Sequence, residues 1–361
     1  MENSILSGVA LTALIATSAL ADEVRVYNWS DYIDEALLEK FETETGIDLI
    51  YDVFDSNEVL ETKLLAGGSG YDVVVPSGTF LQRQITAGAF QKLDQSQLPN
   101  IGNMWGVIND RLKKYDPEGA YAINYMWGTT GIGVNINKVK EVLGEDAPVD
   151  SLALVLDPVN MEKLATCGVH FLDAPAEIIP ATLAYIGEDP DSQDPDVIAK
   201  TEPVLSAIAP FVQKFHSSEY INALANGDIC VAVGWSGDIL QARDRAAEAD
   251  NGVEIEYYAP KEGALMWFDN MAIPVDAPNP EAAHKFLNFI MDAQNMAAAS
   301  NYVYYANGNE ASQEFLAEDV IGDTAIYPDA ATLDNLYTTS PYGPKVQRVV
   351  TRMWTKIKSG T

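Results

Sequence analysis

Between Val24 and Ser77 the chain switches repeatedly between two hydrophobic periods, and this alternation restricts its fold more than any other feature. Val24-Arg25-Val26-Tyr27-Asn28-Trp29 reads as a short strand. Ile33, Leu37 and Phe41 then recur every four positions, the spacing of one helix face, and Gly46 ends that helix. Ile47-Asp48-Leu49-Ile50-Tyr51 reads as a second strand, followed by a helical stretch through Leu64-Leu65 and the turn Gly67-Gly68-Ser69-Gly70. Tyr71-Asp72-Val73-Val74-Val75-Pro76 is a buried strand with Ser77 at its carboxyl end. Strand–helix alternation of this kind predicts an α/β fold with a parallel sheet. In open α/β sheets ligands sit beyond the carboxyl ends of the strands. Trp29, Ser30, Asp31 and Ser77 all fall at such ends, with Tyr32 next in the chain.

Residues 5 to 21 form an apolar run closing on Ala19-Leu20-Ala21, a small-x-small cleavage pattern. Residues 1–21 are therefore expected to be a signal peptide and the mature protein to be exported and soluble. The preceding residues depart from the usual pattern, since they hold Glu2 and no Lys or Arg. No later stretch offers the ~18 uninterrupted apolar residues of a spanning helix. Cys167 and Cys230 are an even pair in an oxidising compartment, which favours one disulfide over two buried thiols. Metal binding is not expected, because CxxC spacing is missing and His170, His216 and His284 lie far apart.

The formal charge is -31, from 22 Lys+Arg against 53 Asp+Glu. A field of that sign repels nucleic acid and concentrates small cations, although many exported proteins are acidic for solubility alone. The roughly 340 residues after the leader exceed what one hydrophobic core normally holds, which suggests two domains. Gly128-Thr129-Thr130-Gly131-Ile132-Gly133-Val134-Asn135 looks superficially like a nucleotide loop, but it has no third glycine and no βαβ context. It is expected to be a flexible crossover between domains. The acidic segment from Gly187 to Pro195 reads as a surface loop.

Downstream strand ends repeat the chemistry of the first. Ile229-Cys230-Val231-Ala232-Val233-Gly234 is a buried strand running into Trp235-Ser236-Gly237-Asp238, which opens a helix. Asp238 is then a first-turn acid, expected to be held ionised by the helix dipole and backbone N–H groups. In Met266-Trp267-Phe268-Asp269-Asn270, alternation puts Trp267 and Asp269 on one face. Tyr302, Tyr304 and Tyr305 add an aromatic cluster. Each feature alone has an ordinary explanation in core packing or helix capping. Their recurrence at several strand ends points to a ligand that needs both carboxylates and aromatic walls. An alkyl diamine is such a ligand. Its ammonium groups need acids, since burying an unpaired ammonium is very costly. Its methylenes need aromatic faces, with cation–π attraction of ~0.5–2 kcal/mol per good contact. Hydroxyls can accept the remaining N–H groups.

The segments WSDYI (29–33), YDVVVPS (71–77), HSSEYINALANGDICVAVGWSGDILQA (216–242), WFDNMAIP (267–274) and YYANGN (304–309) resemble the periplasmic polyamine-binding proteins of ABC importers, in particular the putrescine/spermidine group. The similarity runs through essentially all of the mature chain. It implies a two-lobed periplasmic-binding-protein fold of type II topology with the ligand in the interdomain cleft. The lobes would comprise residues 22–128 with 255–303, and 129–254 with 304–361. The resemblance further implies that Trp29, Tyr32, Trp235, Trp267 and Tyr305 line an aromatic box, and that Asp31, Glu177, Asp238 and Asp269 meet the amines. Ser30, Ser77 and Ser217 would add polar contacts, and Cys167 would be paired with Cys230. Trp267 stands where the family often has Phe, and Ser236 where Ala is common, changes that bear on pocket shape. No cofactor is implied. The expected partners are a polyamine and an inner-membrane permease, the expected state a monomer, and the expected compartment the periplasm.

Two other classes compete. The same fold could take a basic amino acid or a sugar, although a sugar site would use more amides and fewer acids. Paired carboxylates with aromatics also describe glycosidases, but G-W-S-G is not a nucleophile elbow and no base–nucleophile set is visible. A role as sensor partner of a membrane receptor is not distinguished from transport at this level.

Overall fold

The structure, a computed structural model, describes residues 23–360. The expected signal peptide and its cleavage site lie outside the described residues. The first strands form as their patterns predict. Strand β1 (Glu23–Trp29) pairs in parallel with β2 (Asp48–Phe54), Trp29 opposite Phe54, and on its other side with β3 (Val73–Val74). The helix Glu35–Thr45 between β1 and β2 buries Leu37 and Phe41. It starts at Asp34, whose side chain accepts from the Ala36 N–H, and stops at Gly46, whose φ of 69° is left-handed backbone that glycine adopts without strain. Ser56 caps the next helix, Asn57–Ala66, in the same way.

The centre of the sheet is antiparallel. Strand β4 (Ala122–Asn135) runs for fourteen residues. After it come β5 (Val169–Phe171), β6 (Lys214–Phe215), β7 (Val231–Trp235), β8 (Ile255–Tyr258) and β9 (Ala264–Ala272). The short β10 (Ala306–Asn307) and β11 (Leu336–Tyr337) complete the set among the described residues. The order is β2-β1-β3-β9-β4-β7-β5-β6, with β8 and β10 also on β4, and β11 on β9. β9 and β4 thus join a parallel group on each side, and every residue of β9 is buried.

Two main hydrophobic cores flank this junction. One gathers β1, β3, the start of β4 and the helices around Phe41 and Phe286. The other gathers the end of β4, β5, β7 and the helix faces around Leu183 and Trp354. A smaller cluster including Trp127, Phe268 and Ile326 lies alongside. This is the two-lobed α/β architecture, with β4 contributing Tyr125 to the first core and Val134 to the second.

The segment 128–135 therefore does cross between lobes, but as buried strand and not as a flexible linker. Its glycines allow close approach. A Cβ on Gly128 would come within 2.8 Å of the Trp267 ring and 2.9 Å of Tyr305, and one on Gly131 within 2.4 Å of the Tyr258 carbonyl oxygen. The Gly133 position is filled in the same way by Ile239. Gly128→Ala should accordingly destabilise the protein by roughly 1–3 kcal/mol, the usual penalty of overpacking. Denaturant unfolding checks it, and an unchanged midpoint and slope would mean that the two rings yield freely.

Cys167 and Cys230 form a disulfide, with Cα atoms 5.5 Å apart. They precede the adjacent parallel strands β5 and β7. Closing a loop of 63 residues constrains the unfolded chain by roughly 4 kcal/mol in the chain-entropy treatment.

Candidate functional site

The carboxyl ends of β1 and β3, the end of β7 and the middle of β9 meet where the two cores face each other. Between them is a cleft of about 510 Å³, counting space open to solvent. Its lining includes Trp29 at the end of β1, Ser30 and Tyr32 just beyond it, Ser77 after β3, and Trp267 and Asp269 on β9. From the other side come Glu177, Ser217, Trp235 and Asp238, and Tyr305, which packs with the first core, completes the set. Eleven of the twelve ligand-contact residues expected from the sequence are therefore gathered around one space. An adjoining space shares Trp29, Ser77, Glu177 and Trp267 and continues toward Glu58, Tyr115 and Thr339.

Four carboxylates line this space; Asp55 is exposed at its edge, and the other three are desolvated and braced by neutral hydroxyls. Asp269 accepts 2.6 Å from Ser77 Oγ and 2.9 Å from the Tyr32 hydroxyl. Asp238 accepts 2.6 Å from the Tyr305 hydroxyl and 2.7 Å from that of Tyr220. Glu177 accepts from Thr130 Oγ1. The hydroxyls are held in turn. Ser77 Oγ accepts from Asn57, Tyr305 accepts from the Asp238 backbone N–H, and Tyr220 accepts from the Trp235 N–H. Among the described residues no Lys or Arg lines the cavity.

Acids buried without a cation resist ionisation. Burial is the main cause at all three, only partly offset by the hydroxyl bonds. Asp238 is pushed up to about 6 and Asp269 to about 7. Glu177 keeps some exposed surface as a residue, yet its carboxyl group is desolvated enough to rise to about 7. The acids also repel one another: the charge of Asp238 raises Asp269, and that of Asp269 raises Glu177. This corrects the expectation for Asp238. It does lie in the first turn of the helix Ser236–Ala249, but tyrosine hydroxyls, not backbone N–H groups, hold its oxygens, and burial outweighs the dipole.

The aromatic frame is continuous. Trp29 meets Trp235 edge-on at 5.6 Å, Trp235 meets Trp267 at 6.5 Å, and Trp267 meets Tyr305 at 5.2 Å. Tyr32 packs on Tyr305 at 5.3 Å. Trp29 is fixed from behind by its indole N–H, which donates 2.9 Å to the Val75 carbonyl. The three indoles and two phenols thus form one continuous wall of edge-on contacts. Of the serines, Ser30 also bonds the Phe54 carbonyl oxygen at 3.4 Å, and Ser217 is buried at the cavity wall.

Asp31 is the exception. Its backbone takes φ 53°, a left-handed conformation that Asp tolerates better than most residues. Its carboxylate accepts 2.9 Å from Arg245 Nη2 on the helix Ser236–Ala249, away from the cavity. Gln241 of that helix also donates 3.4 Å to the Asp31 carbonyl oxygen. Asp31 therefore sits at the rim, off the cavity lining, with its carboxylate paired to Arg245. The pair is partly exposed, and exposed pairs contribute ~0.2–1 kcal/mol. Arg245→Gln should thus weaken ligand binding by no more than about fivefold, as titration calorimetry would show. A loss of a hundredfold would mean that this pair dominates closure.

Sequence reasoning missed several residues at the site. Phe54, Asp55, Asn57, Ser218 and Ile221 also line the cavity. Asn57 had a visible signal, since it begins the helix after the β2 strand end. Thr130 was hidden inside a glycine-rich stretch read as linker. Tyr220 reads as a core residue of a short helix, and nothing local shows that its hydroxyl reaches Asp238, eighteen positions on.

Residues 36–328 match the family described as bacterial extracellular solute-binding protein. The chain is 50% identical over 361 residues to the putrescine-binding periplasmic protein PotF of Escherichia coli (strain K12), with 98% of each chain covered. It is 53% identical over 337 residues to the putrescine-binding periplasmic protein SpuD of Pseudomonas aeruginosa (strain UCBPP-PA14), covering 93% of this chain and 92% of that protein. Among solved structures, it matches the spermidine/putrescine ABC transporter substrate-binding protein PotD from Streptococcus pneumoniae. The TM-score is 0.76 at 28% identity, over 94% of this chain and 99% of that one.

Proposed function

This chain belongs to the bacterial extracellular solute-binding proteins, and from that premise we propose that it captures a small aliphatic polyamine in the periplasm and delivers it to an ABC importer. The observation that carries the reading is the cavity's set of three desolvated carboxylates with no cation among them. Such a set is costly when empty and is repaid by a ligand that brings positive charge at more than one point. The names of the two relatives at 50% and 53% identity point to putrescine as the ligand to try first.

In this reading Asp238, Asp269 and Glu177 pair with the ammonium groups. The methylenes lie between Trp29, Trp235, Trp267, Tyr32 and Tyr305, and Ser30, Ser77 and Ser217 accept remaining N–H donors. The chemistry is binding and release, with closure of the lobes as the event a membrane permease reads. No bond of the solute is made or broken. The family is one of binding proteins, not of enzymes. An exported, leader-processed monomer is the form that fits this role. No helix among the described residues is long and apolar enough to cross a membrane.

Titration calorimetry of the purified protein tests the reading. Putrescine, cadaverine or spermidine should release heat with a single-site isotherm, while glucose, glutamate and nucleotides should not. A protein that takes a basic amino acid and none of the di- or triamines would overturn the ligand assignment while keeping the fold.

A further inference from the structure

In a chain of formal charge -31, five of the 22 Lys and Arg residues lie in one helix, Pro344–Ser359, which contains no acid. The helix is strongly two-faced. Val346, Val350, Met353, Trp354 and Ile357 pack into the second core. Lys345, Arg348, Arg352 and Lys356 are spaced by three and four residues, which puts them in one line on the opposite side, and all four are exposed. Lys356 is paired with Glu202 at 2.5 Å. Lys345, Arg348 and Arg352 have no ion pair or hydrogen bond among the described residues. Beside the line, Gln347, Thr351 and Thr355 border an open groove at the cleft mouth whose other bank is Asp55, Ser56 and Glu58 of the first lobe.

We propose that this cationic line is a docking surface for an acidic patch on the membrane-embedded permease of the importer, and this rests on the transport reading above. Charge complementarity chooses the partner. The stripe spans only about 16 Å at 1.5 Å per residue, and the Debye length at physiological salt is about 8 Å. A compact acidic patch can therefore meet the exposed side of the stripe while most of the acidic remainder of the molecule lies beyond screening distance. A flat anionic bilayer would face both, and the net charge opposes that contact. The position suits the task as well. The groove flanking the stripe has Asp55, Ser56 and Glu58 on one bank and Gln347, Thr351 and Thr355 on the other, so a partner held at its edge reaches both lobes.

The test is binding of the purified protein to its cognate importer in lipid nanodiscs, with R348E/R352E as the variant. Both residues lie outside the cavity, so putrescine affinity by calorimetry should stay within about twofold of the parent. Affinity for the importer should fall at least tenfold and lose most of its salt dependence. R348K/R352K, which keeps the charge, should bind like the parent. K140E/K163E makes the same change in net charge elsewhere on the surface and should have little effect. An equal loss in that control, or an unchanged R348E/R352E, overturns the proposal, as does failure of the unaltered protein to bind the importer. Cosedimentation of the parent but not R348E/R352E with phosphatidylglycerol vesicles lacking importer would assign the stripe to lipid instead. A parent protein that binds the importer but gives no heat with putrescine would overturn the ligand reading and leave the docking surface standing.

Discussion

Asp238→Asn is expected to weaken polyamine binding by two orders of magnitude or more, with little change in the stability of the ligand-free protein. Breaking one side of a buried charge pair typically costs ~3–5 kcal/mol, and each ~1.4 kcal/mol is tenfold in affinity. The ligand-free side of the comparison is different. There Asp238 has no cationic partner in the cavity, and burial opposes its charge. Asparagine removes that cost but can accept from only one of the two tyrosine hydroxyls with its single oxygen. Its amide faces the other, so one hydrogen bond of ~1 kcal/mol is lost. The two effects oppose each other and leave the fold nearly as stable.

Trp267→Leu provides the contrast. It removes an aromatic wall and its cation–π contact, roughly 1–2 kcal/mol, but leaves the ammonium paired with Asp238 and Asp269. Its effect on binding should be about tenfold. Calorimetry with the best amine, together with thermal unfolding of the ligand-free variants, separates the cases. If Asp238→Asn binds like the parent while Trp267→Leu does not bind, aromatic packing and not charge holds the ligand. If Asp238→Asn unfolds far more easily without ligand, the residue is structural and its binding loss says nothing about the cage.

These expectations depend on what could and could not be read from the chain. The strand ends carrying Trp29, Ser77 and Trp235 were legible because a short apolar run followed at once by polar and aromatic residues is a local pattern. The central antiparallel pair was not. β4 and β9 are buried on both faces, so neither alternates, and their pairing joins residues more than a hundred positions apart. The glycines of β4 were misread for a related reason: they answer to Trp267, Tyr258 and Ile239, none of which is nearby in sequence. Asp31 and Asp238 show the same limit at single residues. Both follow an aromatic at a strand end, yet Arg245 claims the first, and burial with two tyrosines sets the second. Which acid stays unpaired is decided by the tertiary neighbours.

That unpaired state makes binding depend on pH. Folding raises all three cage acids from their ordinary values near 4 to about 6 for Asp238 and about 7 for Asp269 and Glu177. A group whose folded value is raised binds its proton more tightly in the folded state, so its contribution to stability is complete below the unfolded value. That contribution is lost as pH rises through the folded one. The ligand-free protein should therefore lose stability from these acids between about pH 4 and 7.5. Binding runs the other way. A polyamine dication needs the acids ionised, and each one still protonated must first release its proton. Below a group's value that penalty grows by about tenfold per pH unit. Affinity should rise steeply from pH 5.5 to 7.5 and then level off, and the melting-temperature gain from saturating ligand should rise with it. At pH 6.5 these values leave between one and two protons, roughly, on the empty cage. Calorimetry at that pH in two buffers of different ionisation heat should count about that many protons released per amine bound. An affinity flat from pH 5.5 to 7.5, with no proton exchange, would mean that the ammonium groups do not go to these carboxylates.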